Sequence, residues 1–126
     1  MAAVLKSTSE AGALILTISH PEQHNTLSPD VYAAGVEALN AAENNPEVRC
    51  VILTGEGRIF SAGGNLRRLQ QARDGDLDLQ RQSIDALHSW IDSMRTFPKP
   101  VIAAVEGAAA GAGFALALAC DFLIAS

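Results

Sequence analysis

The stretch from residue 100 to residue 121 constrains the fold of this chain more than any other. It begins with an unbroken apolar run, Val101 to Val105, which is typical of a buried strand. A turn of glycine and alanine, Gly107 to Gly113, follows at once and leads into a helix-like stretch. A strand that feeds a turn and then a helix presents free backbone amides at the helix N-terminus. Because glycine and alanine are small, a ligand can approach the main chain closely there.

A second copy of this arrangement lies upstream. The apolar run Val51 to Thr54 is followed by a glycine-containing loop and then by residues 61–66, Ser-Ala-Gly-Gly-Asn-Leu. Two amide-presenting turns, each behind an apolar strand, predict an anion or oxyanion site that is built from backbone N–H groups.

Composition and charge exclude several classes of function. A length of 126 residues allows one domain, and a net charge of −5 without a basic stripe argues against nucleic-acid binding. Cys50 and Cys120 match no metal-ligand spacing, so we expect free thiols, a reducing compartment and no metal. The N-terminus lacks the pattern of a signal peptide. We therefore expect a cytoplasmic enzyme.

One uncharged stretch has to be distinguished from a membrane span. Residues Gly107 to Cys120 carry no charge, and Gly107 and Gly111 form a GxxxG pair of the kind found in membrane helix dimers. The stretch is shorter than the roughly 20 residues that cross a bilayer. We therefore expect no membrane span and no membrane partner.

The pattern of apolar residues predicts an α/β fold. Ser28-Pro29-Asp30 is a strong helix start, since it offers a capping residue, a proline at the first helical position and an early acid. Ile84, Leu87, Ile91 and Met94 repeat at helical spacing and share one face. The predicted strands are Ala3 to Lys6, Ala13 to Ser19, Val48 to Thr54, Val101 to Val105 and Phe122 to Ala125; the predicted helices run from Pro29 to about Glu43, from near Asn65 to about Asp74, and from Leu77 to Met94.

These elements imply a topology. A turn at Glu10-Ala11-Gly12 makes the first two strands a hairpin. The helices between Val48–Thr54 and Val101–Val105 make a βαβ unit, so we expect these two strands to be parallel neighbours. The fold looks unfinished at Ser126, and we therefore expect Phe122–Ala125 to expose an apolar face.

Three motifs carry a specific resemblance. They are residues 20–28 (HPEQHNTLS), residues 57–66 (GRIFSAGGNL), and residues 99–113 (KPVIAAVEGAAAGAG) with Ala-Cys-Asp at 119–121. In this order and at these separations, the chain resembles the N-terminal half of the crotonase superfamily, the enoyl-CoA hydratase/isomerase group. The resemblance implies a crotonase-like β-β-α superhelix, apparently truncated, in which residues 1–126 are the N-terminal part of a single acyl-CoA-binding domain. It also implies a homotrimer or a dimer of trimers.

The resemblance assigns roles to several residues. In this family two backbone N–H groups hold the thioester oxygen of an acyl-CoA and stabilise an enolate; by motif these are the amides of Gly64 and Ala112. Coenzyme A is part of the substrate, and no separate cofactor is implied. His24, Thr26 and Leu27 are expected along the adenosine and pantetheine path, Ala62 and Asn65 beside the thioester arm, and Arg67 or Arg68 either at a CoA phosphate or on a solvated helix face.

The chain departs from the family at the position of a catalytic carboxylate. Hydratases of this family carry a glutamate where this sequence has Ala115, and their second catalytic carboxylate would lie beyond Ser126. Because syn-hydration uses both carboxylates around one water, the resemblance favours isomerase-type chemistry with a single later carboxylate. We find no general base among residues 1–126, and we expect Glu56 to pair with Arg58.

Two alternatives remain at this point. The first is a non-catalytic crotonase-like protein that only binds CoA or assembles. The second is a dinucleotide-binding dehydrogenase fragment, because Gly107, Gly111 and Gly113 mimic a dehydrogenase glycine pattern. That pattern normally opens the first βαβ unit, however, and it explains neither of the first two motifs.

Overall fold

A computed structural model describes residues 3–75 and 77–126, with the backbone alone at positions 68, 69 and 72. Its strands are β1 (Val4–Glu10), β2 (Ala13–Ser19), β3 (Thr26–Leu27), β4 (Cys50–Gly55), β5 (Gly63–Gly64), β6 (Val101–Val105) and β7 (Phe122–Ala125). Its helices are α1 (Pro29–Glu43), α2 (Leu66–Arg73), α3 (Leu77–Thr96) and α4 (Ala112–Ala119), with a short 3-10 helix at Pro21–Gln23. The fold is therefore α/β, as predicted.

The main sheet has five strands in the order β1-β2-β4-β6-β7. Strands β1 and β2 form the predicted antiparallel hairpin, and every later pair is parallel. Val51 of β4 lies opposite Val101 of β6, which confirms that these strands are parallel neighbours. The carboxyl ends of both strands consequently lie at the same edge of the sheet, and the two glycine-containing turns leave from that edge.

A second, two-stranded sheet holds the turns together. Strand β3 pairs with β5, so that Thr26 lies opposite Gly63 and Leu27 opposite Gly64. An isolated parallel bridge joins Ser61 to Ala109. Neither short strand was predicted, because Thr-Leu and Gly-Gly are too short to show an apolar period.

The core lies between the main sheet and helices α1, α3 and α4. Trp90 of α3 is fully buried, and it packs so closely on α1 that an added Cβ on Gly35 would overlap its indole ring. The ring of Tyr32 lies 6.3 Å from that of Trp90, at an angle of 47°. Trp90 is therefore a packing residue of the core. Other fully buried side chains are Leu16, Ile18, Leu39, Leu53, Phe60, Val101 and Leu116.

Strand β7 is the exception to this burial. All four of its residues are exposed, and Phe122 and Ile124 keep 61% and 65% of their surface accessible. The expected uncovered apolar strand is confirmed. Among residues 3–75 and 77–126, no helix combines the length and the apolarity that a bilayer crossing requires.

Candidate functional site

The first amide-presenting turn is fixed by a buried asparagine. Asn25 is 1% exposed and adopts a left-handed backbone conformation (φ +56°), which asparagine tolerates better than most residues. Its Oδ1 accepts a hydrogen bond from the amide of His20 (2.9 Å). Its Nδ2 donates to the carbonyls of Glu56 (2.9 Å) and Ile59 (2.7 Å). One side chain thus satisfies backbone groups of two separate loops, which buried polar groups require.

Ser61 joins this loop to the turn that bears Gly64. Ser61 is fully buried, and its Oγ donates to the carbonyl of Asn25 at 2.8 Å. The same Oγ accepts a hydrogen bond from the amide of Gly63 at 3.1 Å. The chain between Ser61 and Gly64 is therefore held on one side by a side chain and on the other by its pairing with β3.

The second turn is bonded to the first through the backbone. The amides of Phe60 and Ser61 both donate to the carbonyl of Ala108, at 3.1 and 3.2 Å, and the amide of Ala110 donates to the carbonyl of Ser61 at 3.0 Å. Glycine is needed at this junction. An added Cβ on Gly63 (φ +98°) would lie 2.8 Å from the carbonyl oxygen of Ala110 and 3.3 Å from the amide nitrogen of Ala112.

Each turn leads into a helix, as predicted. Asn65 precedes α2, and its Oδ1 accepts a hydrogen bond from the amide of Arg67 at 2.9 Å, which is an N-cap interaction. Ala112 is the first residue of α4, and the amides of a helix's first turn have no acceptor within the helix. Gly64 and Ala112 therefore lie at the positions where a backbone-built anion site is expected.

Gly64 and Ala112 line one apolar pocket of about 240 Å³. Its walls come from the start of α1, the middle of α3 and the two turns. The residues that line this apolar pocket are Leu27, Ser28, Pro29, Tyr32, Gly64, Asn65, Ser83, Ile84, Leu87, Gly111 and Ala112. Leu27, which we expected along the adenosine and pantetheine path, is thus one of the residues that line the apolar pocket.

A second, larger cavity of about 800 Å³ brings together most of the other predicted binding residues. We call it the polar groove, and it is lined by His20, Glu22, Gln23, His24, Thr26, Ala62, Gly64, Asn65, Leu66, Arg67 and Gln70. Five of the predicted binding residues (His24, Thr26, Ala62, Asn65 and Arg67) are among them. Arg67 is exposed at the wall of the polar groove. Both hypotheses for this residue, a partner of a CoA phosphate and a solvated helix residue, therefore stay open. The side chain of Arg68 lies outside the described part of the structure.

The polar groove and the apolar pocket meet at Gly64 and Asn65, which line both cavities. An elongated ligand with a polar part and an apolar part would therefore cross from one to the other beside the Gly64 amide. Ala112 lies in the apolar pocket next to this junction. The arrangement fits a reacting group at the junction, with a polar carrier on one side and an apolar chain on the other.

Ala115 does not lie where we expected it. We expected Ala115 to face the pocket of Gly64 and Ala112, but it lines a third cavity with Ile91, Arg95 and Leu118, among other residues. The physical reason is the position along the helix: Ala115 lies nearly one turn further along α4 than Ala112, where the cavity wall is formed by Ile91 and Arg95 of α3. The expected pairing of Glu56 with Arg58 is also wrong. Glu56 instead accepts hydrogen bonds from the Ser19 hydroxyl and from Lys6 Nζ, and these lower the pKa of its carboxyl.

Several lining residues were missed from the sequence. His20, which is 7% exposed, lines the polar groove, and its Nε2 lies 3.5 Å from Glu22 Oε1. Tyr32 and Pro29 line the apolar pocket from the first turns of α1. Ile84 and Leu87 were predicted on the apolar face of α3 but not at a pocket, because periodicity identifies a face without saying what the face contacts.

Cys120 and Asp121 line the same third cavity as Ala115, and both are titratable. Burial raises the pKa of its thiol to about 12, and the neighbouring Asp121 carboxylate adds to the rise. The Asp121 side chain itself accepts a hydrogen bond from the amide of Val101 at 2.8 Å, so its carboxylate is engaged by the backbone. Neither residue has the properties of a general base. Among the described residues, no group of three histidine, cysteine, aspartate or glutamate side chains is placed to hold a metal ion.

Comparison with known proteins agrees with this geometry. The family model described as enoyl-CoA hydratase/isomerase matches residues 8–126. The 1,2-epoxyphenylacetyl-CoA isomerase of Escherichia coli is 36% identical over 118 residues, covering 93% of this chain and 45% of that protein. A trans-2-decenoyl-acyl-carrier-protein isomerase of Streptococcus mutans is 32% identical over 117 residues, covering 91% of this chain and 44% of that protein. The chain thus spans less than half of the length of these curated relatives.

A solved structure gives the same result for the fold. The crystal structure of an enoyl-CoA hydratase from Polaromonas sp. JS666 superposes with a TM-score of 0.95 at 67% identity. The match covers 98% of this chain and 48% of that one. The fold is therefore crotonase-like. The two turns that contain Gly64 and Ala112 lie within residues 8–126, which match the family model. With fold, motifs and relatives in agreement, this chain belongs to the enoyl-CoA hydratase/isomerase family.

Proposed function

We propose that this chain binds an acyl-CoA thioester and holds the thioester oxygen between the backbone amides of Gly64 and Ala112. The observation that carries the proposal is the junction of the polar groove with the apolar pocket at Gly64, with Ala112 beside it. The polar groove takes the CoA part and the apolar pocket takes the acyl chain. Coenzyme A enters as part of the substrate, and no further cofactor takes part.

The proposed chemistry follows from where charge develops. Removal of a proton next to a thioester carbonyl makes an enolate, whose oxygen gains negative charge in the transition state. Amides already aimed at that oxygen stabilise the charge without reorganising, and the loss of one such donor costs about 100- to 1000-fold in rate. The starts of α2 and α4 add favourable dipoles at the same point.

Isomerase-type chemistry is the favoured form of this reaction. Ala115 supplies no carboxyl where hydratases of the family have a glutamate, so the two-carboxylate mechanism of hydration lacks one member. Two of the similar proteins are named as isomerases, which supports the same choice. Moving a double bond needs one base that takes a proton and returns it elsewhere on the acyl chain. We propose that this base lies outside residues 1–126 and that the active form is a trimer or a dimer of trimers.

Binding and turnover test the proposal separately. Isothermal titration with butyryl-CoA, with free CoA as the control, measures whether the acyl chain adds affinity, as the apolar pocket predicts. Because the proposed base lies outside residues 1–126, assays with a 2-enoyl-CoA and a 3-enoyl-CoA are run on a protein that extends past Ser126, and they report hydration and isomerisation. We expect isomerisation to exceed hydration. Efficient hydration without isomerisation would contradict the role given to Ala115. Binding without any turnover would favour the second candidate, a non-catalytic CoA-binding protein, for which the missing carboxyl at Ala115 is the supporting observation.

A further inference from the structure

The amide of Gly64 belongs to a segment that would not hold its orientation unaided. Gly63 precedes it with φ +98°, a conformation open to glycine and strained for other residues. A glycine pair can rotate its shared peptide plane at low cost, and such a rotation would change the direction of the Gly64 N–H. Pairing with Thr26 and Leu27 of β3 supports the Gly63–Gly64 pair from one side, and a second support comes from the residues before Gly63.

Ser61 makes this second support, at the peptide that joins Ala62 to Gly63. Its Oγ accepts a hydrogen bond from the Gly63 amide at 3.1 Å and donates one to the carbonyl of Asn25 at 2.8 Å. The hydroxyl is used in both directions, as acceptor and as donor, and it lies in a fully buried residue where water does not compete. Asn25 in turn is anchored through both ends of its side-chain amide.

Ser61 also contacts the second turn. Its carbonyl accepts a hydrogen bond from the Ala110 amide at 3.0 Å. An added Cβ on Gly113 would lie 2.8 Å from the Ser61 Cβ and 2.9 Å from its Oγ. The side chain of Ser61 is thus enclosed between the turn that ends at Gly64 and the helix that begins at Ala112.

We propose that Ser61, anchored by Asn25, is a positioning residue that sets the direction of the Gly64 amide relative to the Ala112 amide. Ser61 lines neither the apolar pocket nor the polar groove, and in this proposal it acts through the Gly63 amide. This inference rests on the proposed function, because it assigns a purpose to the geometry of the same two amides. Neither the family resemblance nor the motifs assigned Ser61 or Asn25 to the site.

The expected effect is on rate more than on binding. Without the hydroxyl, the Gly63 amide loses its acceptor, and the segment that carries Gly64 keeps its pairing with β3 but loses its link to Asn25. A displacement of about 1 Å at a reacting centre costs up to ~100-fold in rate, so Ser61→Ala should lower kcat by about 10- to 100-fold. Affinity for a saturated acyl-CoA should change little, since contacts along the polar groove are untouched.

A spectroscopic probe isolates this effect from general loss of structure. An aryl-acryloyl-CoA whose conjugated system includes the thioester carbonyl absorbs at longer wavelength when that carbonyl is polarised by hydrogen bonds. Its red shift on binding therefore reports the two amides directly and needs no catalytic base. Ser93→Ala is the matched control, because the Ser93 hydroxyl donates to the carbonyl of Ser89 at 2.8 Å on α3, away from both turns.

The measurement compares wild type, Ser61→Ala, Ser61→Cys and Ser93→Ala, each saturated with the probe and each checked for folding by circular dichroism. We expect the full red shift in wild type and Ser93→Ala, an intermediate shift in Ser61→Cys, whose sulfur is a weak acceptor of similar size, and loss of most of the shift in Ser61→Ala. Should Ser61→Ala fail to fold, Ser61→Cys carries the comparison.

A full shift in the folded Ser61 variants would overturn the inference and leave the proposed function standing. Probe that fails to bind, or binds to wild type without a shift, would overturn the proposed function and this inference with it.

Discussion

Gly113 packs directly against Ser61, since a Cβ added to Gly113 would lie 2.6 Å from the Ser61 carbonyl oxygen. The neighbour in this contact is backbone, which cannot move aside as a flexible side chain can. The contact joins the helix that begins at Ala112 to the turn that ends at Gly64. A change at Gly113 must therefore displace one turn relative to the other.

Gly113→Ala should lower the rate of acyl-CoA turnover by about 10- to 100-fold, because misplacement at a reacting centre is costly. Alanine is otherwise the better residue inside a helix, by up to about 1 kcal/mol, so intrinsic propensity alone would favour the variant. Steady-state assays check the rate, and Phe114→Ala, at a half-exposed neighbour, is the control. Turnover equal to wild type would show that the two turns tolerate displacement.

Gly35→Ala should destabilise the fold by about 1–3 kcal/mol through overpacking against Trp90. Urea unfolding measures the loss. Combining Gly35→Ala with Trp90→Phe should recover part of it, since the smaller ring leaves room and the indole Nε1 makes no hydrogen bond within the described residues. Ala33→Gly, on the exposed face of α1, reports helix propensity alone. A Gly35→Ala variant more stable than wild type would mean that helix propensity outweighs this contact.

Glu56→Gln should lower stability at pH 7 and have a smaller effect in acid. Hydrogen bonds from Ser19 and Lys6 hold the pKa of the Glu56 carboxyl below its ordinary value of 4.5. A group whose pKa falls on folding contributes stability above its unfolded pKa, and that contribution disappears as the pH drops through the folded value. Urea midpoints at pH 7 and pH 3 check this, with Glu47→Gln as an exposed control. An effect of Glu56→Gln that does not shrink in acid would contradict the assignment.

Cys120 should resist alkylation. Its thiol pKa of about 12 means that at pH 8 only about one molecule in ten thousand carries the reactive thiolate. Mass spectrometry after timed exposure to iodoacetamide should find Cys120 modified far more slowly than glutathione under the same conditions. Modification as fast as glutathione would show that the thiol is neither buried nor influenced by Asp121.

Helix α1 shows what the sequence predicts well. Ser28-Pro29-Asp30 predicted its start and Asn44-Asn45-Pro46 its end, because the effects of proline on the backbone are local. The Ser28 hydroxyl itself makes no capping hydrogen bond within the described part of the chain. Strand β1 shows the opposite case. It continues to Glu10 although the apolar pattern stops near Lys6, since the ladder with β2 needs backbone groups and no apolar side chains.

The sequence predicted the two turns of the candidate site, because local motifs specify them. It did not predict the residues whose place in the site depends on tertiary packing. The strand-turn-helix pattern predicts the two amide-presenting turns, and the family resemblance implies Gly64 and Ala112 within them. Asn25 and Ser61 lie in the same motifs, but their importance comes from contacts with residues far along the chain, which no local period reveals. In the sequence, Asn25 is an ordinary loop asparagine and Ser61 a serine between two apolar residues. Their roles show only in the structure, where Asn25 adopts a left-handed backbone conformation and both side chains are hydrogen-bonded to distant loops.

A crystal structure of the chain with bound butyryl-CoA tests most directly whether the Gly64 and Ala112 amides hold a thioester oxygen. We expect CoA in the polar groove, the butyryl chain in the apolar pocket, and the thioester oxygen about 3 Å from both amide nitrogens. A thioester oxygen that contacts neither amide, with the acyl chain outside the apolar pocket, would contradict this expectation.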